Sequence, residues 1–157
     1  MRDLYYEDVR VGSEFVSVGR TVSELDLNMF AMLSGDMHPI HTDSVYAATT
    51  PFGQRILHGP FGVALAIGLF GRFSEFQLAS IALTEIREWK FRAPVFVGDT
   101  LHLEMQITGK TESKSGRGFI DRRMRLINQK GAVVQEGLMG LLIAHRTPPT
   151  PNLVLRP

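Results

Sequence analysis

The chain has 157 residues, 44% hydrophobic and 21% charged, a balance that suits one globular domain with a buried core and argues against a disordered or multi-domain protein. Seventeen Lys and Arg against 16 Asp and Glu leave a formal charge of +1 with no basic run, so neither a nucleic-acid backbone nor an anionic membrane is an expected partner. The absence of Cys excludes disulfides, thiolate metal sites and thiol nucleophiles.

The first ten residues, Met1 to Arg10, are rich in charge and lack an apolar stretch of signal-peptide length, which predicts a cytoplasmic protein. Ser23 followed by Asp26 is an N-cap pattern, Leu25, Met29, Met32 and Leu33 recur at helical spacing, and Gly35 stops the run. A short amphipathic helix over 23–33 is therefore predicted. A loop follows over 35–39, then one or two helical turns over 43–50, ended by Pro51 and Gly53. Gly59 and Pro60 mark the start of a helix whose body, Phe61 to Phe73, is apolar or Gly almost throughout. It is too short to span a bilayer, which takes roughly 20 residues, and having no polar face it is expected to be enclosed by other structure. Leu101, Leu103, Met105 and Ile107 alternate with polar neighbours, as in a strand with one buried face. The stretches 81–91, 119–128 and 132–145 are rich in strand formers. Turns at Gly98-Asp99, Ser115-Gly116 and Lys130-Gly131 are too short for helical crossovers, so the pairing is expected to be antiparallel. The sum is an α+β domain in which an apolar helix lies against a curved antiparallel sheet. The tail, 147–157, holds four of the eight prolines and reads as an extended arm or disordered end.

Residues of catalytic type concentrate between Ser34 and Asp43. Asp36 and His41, separated by a loop containing Pro39, can converge on one volume, where a carboxylate and an imidazole would hold and deprotonate a water. The same residues have structural readings: a turn for Asp36, a core-satisfied histidine for His41, and, preferred in its case, an N-cap for Asp43. His38 and His41 stand at i, i+3 without a third ligand at a characteristic spacing, so no metal is expected. His58-Gly59-Pro60 leads into the apolar helix. A helix start offers free N–H groups, and because Pro60 cannot donate, the Gly59 N–H is the natural donor to a polarised oxygen. Capping geometry alone is the competing account of Gly59.

The stretch Phe30-Ala31-Met32-Leu33-Ser34-Gly35-Asp36-Met37-His38-Pro39-Ile40-His41-Thr42-Asp43 resembles the hydratase-2 motif of MaoC-like (R)-specific enoyl-CoA hydratases. That motif is an aromatic residue followed shortly by S/T-G-D-x-N-P-L/I-H-x-D. Tyr46-Ala47-Ala48-Thr49-Thr50, Ile56-Leu57-His58-Gly59 and Ala93-Pro94-Val95-Phe96-Val97-Gly98-Asp99 resemble the same family in the same order. The resemblance implies a single hotdog domain over 1–146, with the sheet wrapped around a long central helix, and a homodimer or dimer of dimers. It implies Asp36 and His41 as catalytic acid and base, Gly59 as the oxyanion-hole donor, and Ser34, Gly35, His38, Pro39 and His58 as supporting residues. The implied reaction is hydration of a trans-2-enoyl thioester to the (R)-3-hydroxyacyl thioester, or the reverse. It needs no cofactor, with coenzyme A or acyl carrier protein as the substrate's handle.

Two positions depart from the motif. His38 stands where the usual residue is Asn, and Ile67 where some members carry a hydroxyl on the central helix. A hotdog thioesterase would place a carboxylate on or beside that helix, but Phe61 to Phe73 contains none and Glu75 is the first acid beyond it. A non-catalytic acyl-CoA-binding subunit is the other alternative. Phe52, Phe61, Leu65, Phe70 and Phe73 read as core before they read as pocket walls, and Arg55, Lys90, Arg92 and Lys114 as solvated charges.

Overall fold

The computed structural model describes residues 3–114 and 116–147. Two short strands, β1 (Glu14–Val16) and β2 (Arg20–Thr21), precede the first helix. Ser23 starts that helix: its hydroxyl accepts the Asp26 N–H while the Asp26 carboxylate accepts the Ser23 N–H, a reciprocal capping box for α1 (Glu24–Ser34). Two single-turn helices follow, α2 (Pro39–Thr42) and α3 (Ser44–Ala48), then α4 (Gly59–Phe70) and a 3₁₀ turn at Ser74–Phe76. Four long strands complete the domain: β3 (Ser80–Phe91), β4 (Thr100–Glu112), β5 (Gly118–Ile127) and β6 (Val133–Ile143).

The strands form one antiparallel sheet in the order β1-β4-β5-β6-β3, with β2 also pairing β4. The sheet is open, and β3 is one of its edges. The alternation in β4 appears as expected: Leu101, Leu103, Met105 and Ile107 are at most 1% exposed, while the residues between them face outward. Ile120, Met124, Leu126, Val134, Met139 and Leu141 continue this inner face, and α4 lies on it through Phe61, Leu65, Ala66, Leu69 and Phe70. Each of the larger of these side chains contributes about 1.5–3 kcal/mol on burial. Phe61, Leu65, Phe70 and Phe73 are core, whereas Phe52 is exposed. The hairpin from Asn128 to Ala132 and the turn at Gly98-Asp99 are present; Ser115 lies outside the described residues, but Ser113 N–H donates to the Arg117 carbonyl across that turn. Thr147 is the last described residue, so the proline-rich tail beyond it lies outside them.

Three expectations change. The central helix starts at Gly59 with His58 as its N-cap, and it ends at Phe70. It is not wholly enclosed: Ala64, Ile67 and Gly68 are exposed, and Ile67 lies beside the β3 edge, where Ile81, Leu83 and Ile86 are exposed as well. In α1 the apolar stripe Leu25, Met29, Met32 and Leu33 faces outward, and Leu27 and Ala31 make the buried contacts instead. Hydrophobic spacing locates a stripe but does not say whether the chain itself or another surface covers it.

The start of α4 is fixed to the sheet by a buried polar chain. The Trp89 indole N–H donates to Gln135 Oε1 (2.9 Å), and Gln135 Nε2 donates to the Gly59 carbonyl (3.1 Å). Gln135 is only 3% exposed, and it fits because position 62 has no side chain: a Cβ there would lie 2.3 Å from the amide. Gly62→Ala is therefore expected to displace Gln135, leave buried polar groups unpaired and cost about 1–3 kcal/mol, seen as a lower Tm in thermal unfolding.

Candidate active site

The loop between α1 and α2 carries Asp36. Gly35 ends α1 in the left-handed conformation (φ 75°), donating its N–H to the Ala31 carbonyl, and so turns the chain sharply after Ser34. Ser34 donates its hydroxyl to the Phe30 carbonyl (2.7 Å) and accepts the Asp36 N–H (3.2 Å). The Asp36 side chain accepts the His38 N–H (3.2 Å), which holds the loop closed. His38 is the N-cap of α2: its Nδ1 accepts the Ile40 N–H (3.2 Å), a task an Asn oxygen performs equally well. Pro39 is the first residue of α2, and Asp43 caps α3 by accepting from Val45 and Tyr46, so the capping reading of Asp43 holds.

His41 leaves α2 toward the interior and is 9% exposed. Its Nδ1 lies 2.7 Å from the Ile56 carbonyl. A carbonyl only accepts, so Nδ1 carries the proton and Nε2 presents a lone pair. The third resembling segment explains the placement of that carbonyl: Ile56 bridges Phe96, the Leu57 N–H donates to Val95 O (2.8 Å) and the Ile56 N–H to Ile40 O (3.3 Å). Burial pushes the His41 pKa below 6.5, with the neighbouring His58 acting in the same direction against the Ile56 hydrogen bond and Asp36. Neutral imidazole is thus the resting form near neutral pH.

His58 is 2% exposed and stacks on His41, ring centroids 3.7 Å apart and planes at 24°. Its Nε2–H donates to the Asp36 main-chain carbonyl (2.9 Å), tying the Asp36 loop to the mouth of α4. His41 Nε2 and Asp36 Oδ2 are 3.9 Å apart. Both are acceptors, too far apart for a direct bond but spaced so that one water, about 2.8 Å from each, donates a hydrogen to both.

Asp36, His41 and His58 bring three ligand-type atoms within 4.8 Å of one another, a grouping different from the His38–His41 pair. His58 Nε2 spends its proton on the Asp36 carbonyl and so has no lone pair to give there. Two donors remain, one fewer than the three protein ligands of a catalytic zinc. The donor set suits a water.

Gly59, the first residue of α4, has no acceptor for its N–H among the described residues. An open cavity of about 310 Å³ begins beside it, lined by Phe52, Ile56, Leu57, Phe91 and Gln135. The structure thus brings together Asp36, His41 and His58 next to Gly59, and it assigns Ser34, Gly35, His38 and Pro39 to loop and helix-end geometry. Sequence reading missed the Ile56 carbonyl, because main-chain acceptors carry no residue signature, and Gln135, which stands beside Glu136 in β6 and gives no sign in the sequence of facing inward.

The likeness to known proteins defines the class, a hotdog hydro-lyase that adds or removes water. The MaoC-like domain family matches residues 9–126, and the chain belongs to it. An "(R)-specific enoyl-CoA hydratase" of Rhodospirillum rubrum is 32% identical over 143 residues, 90% of this chain and 93% of its own length. The X-ray structure of a protein of Archaeoglobus fulgius, named a monoamine oxidase regulatory protein, superposes with a TM-score of 0.84 at 30% identity, over 91% of this chain and 95% of that one. A Mycobacterium tuberculosis protein described as having a double hotdog fold superposes with a TM-score of 0.77 at 21% identity, over 99% of this chain and 46% of that one.

Because His38 serves as a cap, His38→Asn is expected to leave stability unchanged within about 0.5 kcal/mol, while His38→Ala loses about 1 kcal/mol. Urea unfolding of the two variants measures the difference.

Proposed function

We propose that the protein hydrates trans-2-enoyl thioesters to (R)-3-hydroxyacyl thioesters and catalyses the reverse dehydration. The separation of 3.9 Å between the Asp36 carboxylate and the unprotonated nitrogen of His41 carries this reading. In the hydration direction the pair holds one water and takes its proton as the oxygen bonds to C3. The double-bond electrons move toward the thioester, and a proton passes from the pair to C2. The Gly59 N–H donates to the thioester oxygen as negative charge develops on it. Positioned acid–base groups contribute about 10²–10⁴ and one oxyanion donor about 10²–10³.

The relative named for (R)-specific hydration supports the product configuration. Coenzyme A is the proposed handle, with acyl carrier protein as the alternative carrier, and no cofactor enters the steps. Among the described residues no helix is long and apolar enough to cross a membrane; the cytoplasmic assignment rests on the sequence alone. A homodimer is proposed through the β3 edge and the neighbouring face of α4, where Ile81, Leu83, Ile86 and Ile67 are exposed in the single chain.

Asp36→Ala and His41→Ala are each expected to lower kcat/KM for crotonyl-CoA by at least about a hundredfold, read as slower loss of enoyl-thioester absorbance. Wild-type product of (S) configuration, or unchanged rates in both variants, would refute the assignment. Neutral His41 is the active form and its pKa lies below 6.5, so kcat/KM is expected to fall only as pH drops beneath that value. Light scattering is expected to find a dimer, and Ile81→Lys to shift it toward monomer.

A further inference from the structure

Arg122 on β5 points inward, between Ile120 and Met124, and is 1% exposed. Its guanidinium lies 4.3 Å from the centre of the Phe70 ring at the end of α4. Two of its donors reach main-chain carbonyls, those of Met139 and Gly140, each at 3.4 Å, the long limit of a hydrogen bond. No acidic residue pairs with it among the described residues. Burial lowers its pKa to about 10, far enough above neutrality for the group to remain a cation. A buried cation without a counter-charge is among the most unfavourable groups a core can hold, and the proposed hydration makes no use of it.

Arg122 faces a cavity of about 170 Å³ that is otherwise lined mainly by apolar side chains, among them Ile67, Phe70, Leu83 and Leu141. Ser80, at the start of β3, lines the same cavity, and its buried hydroxyl has no hydrogen-bond partner. A planar guanidinium with spare donors, an unpartnered hydroxyl and alkyl walls suit a single carboxylate on an apolar stem. A phosphate would bring more charge and volume into a space with one cation. Phe70 ends the helix that Gly59 begins, roughly 16 Å away at 1.5 Å per residue, and Ile67, one turn before Phe70, is exposed on the cavity wall.

We propose that this cavity binds the distal carboxylate of the acyl chain, so that the substrate class is an enoyl thioester with an acidic far end, held by Arg122 and Ser80 while its thioester sits at Gly59. The assignment rests on the hydratase reading for the identity of the thioester, but the carboxylate site itself stands on the cavity.

The test compares wild type with Arg122→Met and Ser80→Ala on enoyl-CoA substrates of matched length that end in either a carboxylate or a methyl group. Wild type is expected to prefer the acid-ended substrate. Arg122→Met is expected to lower kcat/KM on it by roughly 30-fold or more, as losing one partner of a buried charge pair does, with little change on the methyl-ended one, and Ser80→Ala to lower it less. Replacing an unpaired buried cation by a hydrophobic residue is expected to keep or raise Tm. Free hexanoate, with hexanamide as control, is expected to raise the Tm of wild type but not of Arg122→Met, a readout independent of any turnover. Protection by hexanoate without preference for the acid-ended substrate would assign the cavity to a free anion and overturn the acyl-end proposal. A dimer lost in Arg122→Met would assign the cation to an acid of the second copy and overturn it too. Absence of turnover on both substrates, with hexanoate protection intact, would sink the hydratase reading and leave the carboxylate site standing.

Discussion

The hydrogen bond between the His41 ring and the Ile56 carbonyl is the constraint on which the rest of the site depends. A ring nitrogen facing a carbonyl must carry the proton, so the opposite nitrogen is committed to accepting. That commitment makes the Asp36 carboxylate a second acceptor rather than a partner in a closed ion pair, and the gap between the two becomes a seat for water. Had the ring met a donor at position 56, the proton would sit on the other nitrogen and Asp36 would bind it directly. Much of the surrounding structure holds this arrangement in place: the bridge from Ile56 to Phe96, the stack of His58 on His41, and the bond from His58 to the Asp36 carbonyl.

The second half of the site is organised from the sheet. A helix start leaves N–H groups unsatisfied, and here the first of them belongs to Gly59, immediately before a proline that has none to offer. The helix mouth does not swing freely, because Gln135 bonds the Gly59 carbonyl and is itself held by Trp89. Catalysis by a main-chain donor depends on its being positioned before the charge develops. A polar side chain buried on the inner face of β6, facing a glycine that leaves room for it, supplies that rigidity. The proposed acid–base pair and the proposed donor thus come from separate segments that meet at His58, the residue that caps α4 and ties down the Asp36 loop.

Local patterns in the sequence carried the elements whose causes are local. Ser23 and Asp26 announced the capping box, the alternation from Leu101 to Ile107 announced β4, and Asp43 announced its cap. Asp36, His41 and Gly59 were legible through spacing and family likeness, and the structure brings them to one end of one helix. What escaped depends on contacts between distant segments. Leu25, Met29, Met32 and Leu33 keep helical spacing yet face outward, and the apolar run of α4 leaves Ala64, Ile67 and Gly68 uncovered. His38 looked like an irregularity in a catalytic motif and is a helix cap. Arg122 sits in a strand rich in basic residues, and only the fold separates it from Arg123 and Arg125, which reach the outer face.

His41 rests as the neutral Nδ1–H tautomer, with its other nitrogen open to water. The direct measurement is the ¹⁵N NMR titration of the His41 ring. A protonated Nδ1, an unprotonated Nε2 at neutral pH, and a midpoint below 6.5 are expected. A proton on Nε2 at neutral pH, or a midpoint above 6.5, would contradict this resting state, because the nitrogen facing Asp36 would then be a donor and could not accept a proton from a shared water.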